Sequence, residues 1–229
     1  MRHPLRPAAG VLTALLMALS GCSGGTRSEP LYPQILAAAQ TTFSKGKSQR
    51  AAAARPPLTR AVLNDIEGSY IEVTLERSGI FAYLFVSTTR PDGVVQWRTE
   101  DNVTLTMRQG VLIATRGLGG DIISSAVNTA PGTQGPAGGG EKVMYIRTGD
   151  LEERRLVLAC DLADLGPETI TIVEKAQATR HLRESCETPD GGRIVNDYWT
   201  DNRTGIVWQS RQWAGPHIGY LRVRRLTTG

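Results

Sequence analysis

From Tyr70 to Arg225 the chain consists of short β-branched and aromatic runs cut by Gly, Pro, Asn and Asp, which commits it to an antiparallel β fold. Tyr70 to Glu76 alternates polar and apolar residues, Ile80 to Val86 is continuously apolar, and Val94 to Arg98, Val103 to Met107 and Val111 to Thr115 are short and β-branched. Further runs follow at Lys142 to Arg147, Arg155 to Asp161, Thr169 to Glu174, Ile194 to Thr200, Ile206 to Trp213 and Gly219 to Arg225. About eleven strands at spacings of roughly 8 to 14 residues predict a mainly β fold, a single domain over residues 31–229 that is curved or barrel-like. No internal repeat marks the strands, which disfavours a propeller. Helical spacing is confined to the N-terminal side. Leu31, Ile35, Leu36, Ala39 and Phe43 predict an N-terminal amphipathic helix, and Val62, Leu63 and Ile66 a shorter one over Thr59 to Ile66. Pro56 and Pro57 give the second helix a stiff entry.

Residues 1–21 have the form of a secretion signal, with Arg2 and Arg6 before an apolar stretch from Ala8 to Leu19. That stretch is too short to span a bilayer, which takes about 20 apolar residues. It ends in Leu19, Ser20, Gly21 and Cys22, which resembles the bacterial lipobox, where the signal is cut before the Cys and the Cys is acylated. By that resemblance Cys22 carries palmitate-type chains, and two or more such chains hold a domain firmly on a membrane. Ser23 is not the Asp associated with retention at the inner membrane, so the expected place is the periplasmic leaflet of the outer membrane. Residues 22–30 then form the lipidated Cys and a flexible tether rich in Ser and Gly. Two cysteines remain, Cys160 and Cys186, and in an oxidising compartment the pair predicts a disulfide.

Composition narrows the chemistry. Lys and Arg number 26 against 22 acidic residues, a net charge of +4 that falls to +2 once Arg2 and Arg6 are removed. Such a balance does not suit nucleic acid. His3, His181 and His217 are the histidines, too few for a histidine-built metal site, and no metal or cofactor is expected. Gly21 to Gly25 matches the Gly-x-Ser-x-Gly string but straddles the cleavage point, so it is no nucleophile elbow. Gly135 to Lys142 misses the phosphate-loop pattern by one position and lacks the following Ser or Thr. Asp197 and Asp201 are the nearest thing to a glycosidase pair, with nothing to fix their separation. The expectation is a protein that is not an enzyme.

Two surfaces stand out as candidate binding elements. Arg116, Gly117, Gly119 and Asp121 form either a tight turn packed on the core or a nest of backbone N–H groups, followed by a weakly helical Ile122 to Val127. In the hairpin of residues 194–213, a loop at Asp201 to Gly205 pairs Thr200 with Ile206 and sets Tyr198 opposite Trp208 and Trp199 opposite Val207. Alternation then places Ile194, Tyr198, Ile206 and Trp208 on a core face, and Asp197, Trp199, Gln209, Arg211 and Trp213 on the other. Indoles beside planar hydrogen-bonding groups suit a sugar surface or a protein partner. They also suit plain structure, with Arg211 pairing Asp197. Pro131 to Gly140 has seven Gly or Pro in ten and reads as a flexible loop.

Val94 to Arg98 (VVQWR) followed by Val111 to Asp121 (VLIATRGLGGD) resembles the YjbF/GfcB family, the group 4 capsule polysaccharide lipoproteins. Glu184 to Cys186, Asn196 to Trp199 and Gly205 to Trp213 are similar to the C-terminal half of the same family. The resemblance implies a non-enzymatic outer-membrane lipoprotein that acts as an accessory or assembly component in capsule or exopolysaccharide secretion. Its implied partners are periplasmic and outer-membrane β-barrel proteins, with polysaccharide as a further candidate, and it supplies no catalytic residues. The alternatives are a direct glycan-binding module and a lipid or lipoprotein carrier with a half-barrel cavity.

Overall fold

A computed structural model of the chain describes residues 58–148, 152–201 and 203–228. The leader, Cys22, the tether and the helix expected over Leu31 to Phe43 lie outside the described residues. A short helix α1 (Arg60–Asn64) precedes twelve strands: β1 (Tyr70–Leu75), β2 (Ile80–Thr89), β3 (Val94–Arg98), β4 (Thr104–Arg108), β5 (Val111–Arg116), β6 (Ile122–Ser125), β7 (Gly140–Arg147), β8 (Glu153–Ile172), β9 (Lys175–Glu187), β10 (Arg193–Asp201), β11 (Val207–Trp213) and β12 (Tyr220–Arg225).

All twelve belong to one antiparallel sheet that runs from β5 back to β1, crosses to β12 and continues down to β6. The first and last strands are thus joined by the β1–β12 ladder, in which Val73 faces Val223. The β5–β6 seam carries no ladder, and side chains close it instead. Thr115 Oγ1 donates to Asp121 Oδ1 at 2.9 Å and accepts from the Ile122 amide at 3.0 Å. The result is a nearly closed barrel, because a sheet curled this far removes most of its edges.

Period-two alternation fills the barrel. Ile71 and Val73 of β1, Leu84 of β2, Trp97 of β3, Leu105 of β4 and Leu158 of β8 point into one interior cluster that draws on every strand except β11. From β11, Ser210 and Gln212 point inward, both buried. Gln212 crosses the interior: its Oε1 accepts the Leu112 amide at 2.8 Å and its Nε2 donates to the Gly110 carbonyl at 2.9 Å. Gly110 sits at φ 82° in the β4–β5 turn. A Cβ there would lie 2.7 Å from Val207 Cγ2, so Gly is required both by conformation and by the close approach of the two walls. A void against Trp97, Met107 and Arg225 holds about 40 Å³, room for a few waters and not for an acyl chain.

Three elements differ from expectation. Residues 122–125 form a strand rather than a weak helix. The runs at 155–161 and 169–174 are one 20-residue strand, β8, which continues through Gly166 and Pro167. Its partner β9 has no apolar pattern to announce it. Pro is tolerated because β7 pairs with β8 only as far as Cys160, so beyond it β8 is bonded to β9 alone among the described residues. The tip of this arm folds onto α1, where Arg60 donates to the carbonyls of Ile172 (2.6 Å), Val173 (3.1 Å) and Leu226 (3.2 Å). The helix expected over Thr59 to Ile66 is shorter, with Thr59 as its cap, and Leu63 joins Phe81, Tyr83, Ile172 and Leu226 in a second cluster outside the barrel.

The Gly- and Pro-rich segment is tied down. The Gly135 amide donates to Gln109 O at 2.6 Å, the Ala137 amide to Asn128 O at 2.9 Å, and Asn128 Nδ2 to Gly139 O at 2.8 Å. Gly135 and Pro136 are buried.

Candidate functional site

On the outer face of β9 to β12 the ladders line up two polar rows. One runs His181, Trp199, Gln209, Arg224, Glu72, and the next runs Arg183, Asp197, Arg211, Arg222, Thr74. Four of the five hairpin residues expected on one face do lie together here, although the register differs. Tyr198 pairs with Ser210 and Trp199 with Gln209, two positions along from the pairing expected with Trp208 and Val207. One position comes from the loop, which closes on Thr200 and Val207 instead of Ile206, and the other from a bulge between Trp199 and Thr200 that leaves Trp208 over. Trp208 therefore does not share the core face with Tyr198: it packs on the outer cluster. Its indole Nε1 donates to Asp201 Oδ2 at 3.3 Å.

The fifth residue, Trp213, leaves the face. The β10–β11 pairing stops at Asp197 and Arg211, and Trp213 packs against the inner cluster, lining a cleft with Ile146, Leu156 and Ile194.

Within the rows most charges are paired, and Arg222 Nε is buried with no partner among the described residues. Asp197 Oδ1 accepts from Arg183 Nε at 2.8 Å and lies 2.8 Å from His181 Nε2, while His181 Nδ1 lies 3.0 Å from Glu168 Oε2. Trp199 stacks on His181 with ring centroids 4.5 Å apart, and its Nε1 meets no acceptor among the described residues. Arg211 is not the partner of Asp197. It donates to Glu76 Oε2 at 2.9 Å and lies 3.5 Å over the Tyr220 ring. Arg224 holds buried Glu72 through two bonds of 3.0 and 2.9 Å. Sequence reasoning missed His181 and Arg183 because β9 was not legible as a strand, and Glu168 because it lies in the middle of β8 between the two runs read there; the strand register brings His181 and Arg183 to Asp197.

The candidate nest is filled by its own chain. The amides of Gly117 and Leu118 donate to the Asp121 carboxylate at 3.0 and 3.1 Å, so the glycines serve a turn that seals the barrel seam. Asp201 acts likewise in the β10–β11 loop. Its carboxyl falls to about 2, held down first by the Thr204 amide, then by the Arg203 amide and the Trp208 indole.

A second polar group lies inside the barrel. Lys142 Nζ and Asn196 Nδ2 donate to Glu184 Oε2 at 2.8 and 2.7 Å, and Tyr198 donates to Gln212 Oε1 at 3.2 Å. Burial pushes the Tyr198 hydroxyl well up, and the carboxylates of Glu184 and Asp197 add to it. Cys160 and Cys186 form the expected disulfide directly across the β8–β9 ladder. Although Glu184 lies beside them, a bonded pair offers no thiolates, and its carboxylate is already committed.

Comparison with known proteins follows the same lines. The family described as group 4 capsule polysaccharide lipoprotein gfcB, YjbF matches residues 37–226. Among solved structures, the hypothetical lipoprotein YmcC from Escherichia coli superposes with a TM-score of 0.64 at 17% identity, covering 80% of this chain and 99% of that one. At that identity the likeness is one of fold. No match to the curated proteins was found.

Proposed function

The chain belongs to the family of group 4 capsule polysaccharide lipoproteins, and from that premise we propose that it is a lipid-anchored, non-enzymatic accessory or assembly component of polysaccharide secretion. Its anchor is Cys22, its place is the periplasmic leaflet of the outer membrane, and its partners are periplasmic and outer-membrane β-barrel proteins of the secretion system. The observation that carries this reading is the filled interior. Tyr198, Leu221, Leu105, Ile122 and Leu158 close the barrel from within, and Gln212 ties its two walls together. A polymer cannot thread such a barrel, and an acyl chain cannot lodge in its interior. The chain acts from its outside.

The outside is also wrong for a bilayer. A membrane barrel turns apolar residues to lipid and polar ones inward. Here Arg183, Asp197, Arg211 and Arg222 form an outward row while the apolar cluster lies within. The domain is suited to water and depends on Cys22 to stay at the membrane. On the outer face His181 and Arg183 are tied to Asp197 and Arg211 to Glu76, which supports a binding role over a catalytic one.

The test is complementation. In a deletion strain of the source bacterium, the wild-type chain should restore surface polysaccharide and a Cys22→Ser chain, made in equal amount, should not. Full restoration by Cys22→Ser would contradict the anchored role.

A further inference from the structure

The cleft that Trp213 lines lies outside the polar rows and nothing in the fold requires it to be open. It has a volume of about 270 Å³. That is just under the roughly 300–1,000 Å³ of sites for drug-sized ligands, which suits one sugar ring and excludes a lipid tail. Its floor is apolar, with the half-buried indole of Trp213 beside Pro216 and the buried Ile194. Its rim is polar and exposed, with Arg154 and Arg193 from β8 and β10 and Asp190 from the turn between β9 and β10.

That turn is built to hold its shape. The Thr188 amide donates to Gly192 O at 2.9 Å and the Gly191 amide to Thr188 O at 2.9 Å, while the Thr188 hydroxyl holds Asp190. The Thr188 bond, the local amides and the nearby Arg154 charge all favour the ionised Asp190 carboxyl. The rim guanidinia are lightly committed. Arg193 faces Glu187 at 3.5 Å with both side chains about two-thirds exposed, an ion pair that water already weakens.

We propose that this cleft binds a pyranose unit of the exported polysaccharide, the sugar's C–H face lying on Trp213 and its hydroxyls bonded by Arg154, Arg193 and Asp190. The inference rests on the export role and deepens it by giving the polymer a site. A pyranose has one apolar face and a ring of vicinal hydroxyls. An indole answers the first, and a planar guanidinium with a carboxylate answers the second, as donors and acceptor at fixed angles. The outer rows offer the same residue types, but Arg183 already bonds Asp197 and Arg211 already bonds Glu76, so a sugar at those groups must displace protein contacts.

The test is calorimetric titration of the mature lipoprotein, in detergent, with oligosaccharides cut from the surface polysaccharide of the source bacterium. We expect saturable binding that Arg154→Ala weakens about tenfold or more, as loss of a charged hydrogen-bond donor does. Arg154 is exposed, so this variant should keep its circular dichroism spectrum, and Trp213→Phe is a second probe that spares the packing. Arg211→Ala, on the outer rows, should leave affinity unchanged. Absence of saturable binding, or binding indifferent to Arg154→Ala and Trp213→Phe, overturns the site. The two ideas fail separately: a deletion that stops export with no oligosaccharide binding removes the cleft and keeps the role, and binding with normal export in the deletion does the reverse.

Discussion

Lys142 and Glu184 face each other inside the barrel with side chains 7% and 6% exposed, and Asn196 shares the same carboxylate oxygen. Desolvation of both charges offsets most of their attraction, so the pair adds little net stability, yet neither partner can be removed alone. We expect Lys142→Met to cost about 3–5 kcal/mol in urea unfolding, and Lys142→Met with Glu184→Gln to recover most of it. A double variant as unstable as the single one would show that the charge is not what matters there. Gln212 makes a parallel case. Its amide serves the Leu112 N–H and the Gly110 carbonyl, both of which Gln212→Leu strands in the core. The expected loss is about 2–3 kcal/mol, whereas Gln209→Leu on the outer face should stay within about 0.5 kcal/mol. Equal losses at the two positions would contradict the facing of β11.

At the scale of elements, the strands that proved legible are those with apolar residues at every second position, such as β1 and β12, or in an unbroken run, such as β2. β9 was not, because its buried polar residues fall on both faces, Gln177 and Thr179 on the outer one and Glu184 on the inner, so no apolar alternation marks it. Such a strand is fixed by ladders on both sides, which no local pattern encodes. The same gap hid the site: Asp197 and Trp199 could be placed on one face by alternation, while His181 and Arg183 needed the neighbouring strand. Trp208 was misplaced by one bulge, since a single extra residue reverses facing. The loop that accompanies the bulge gives a prediction in pH. Asp201 has its carboxyl lowered from 3.8 to about 2 in the fold, so its ionised form is favoured by folding. Its stabilisation is complete above about pH 4 and is lost as pH falls to about 2. Asp201→Asn should therefore lower the urea midpoint at pH 7, and the gap to wild type should close between those limits. A gap that persists unchanged at pH 2 would assign the effect to something other than the charge.

For the described residues as a whole, the β1–β12 ladder, the sealed seam and the disulfide all hold one nearly closed barrel. Cys160 and Cys186 are separated by 26 residues, and on the chain-entropy account their bond contributes about 3.5 kcal/mol. Reduction should lower the unfolding free energy by that order, and no change in the urea midpoint would mean that the ladders alone fix the β8–β9 arm. In the proposed role, closure matters because a packed interior leaves the outside to act, and the anchor proposed at Cys22 sets that outside beside exported polymer. The central claim is a part in export, distinct from a part in synthesis. The most direct test measures polysaccharide on the cell surface and inside the envelope in wild-type and deletion strains. The account predicts that surface polymer falls in the deletion while polymer accumulates in the periplasm and total synthesis is sustained. Unchanged surface polymer, or an equal loss from surface and interior, would contradict it.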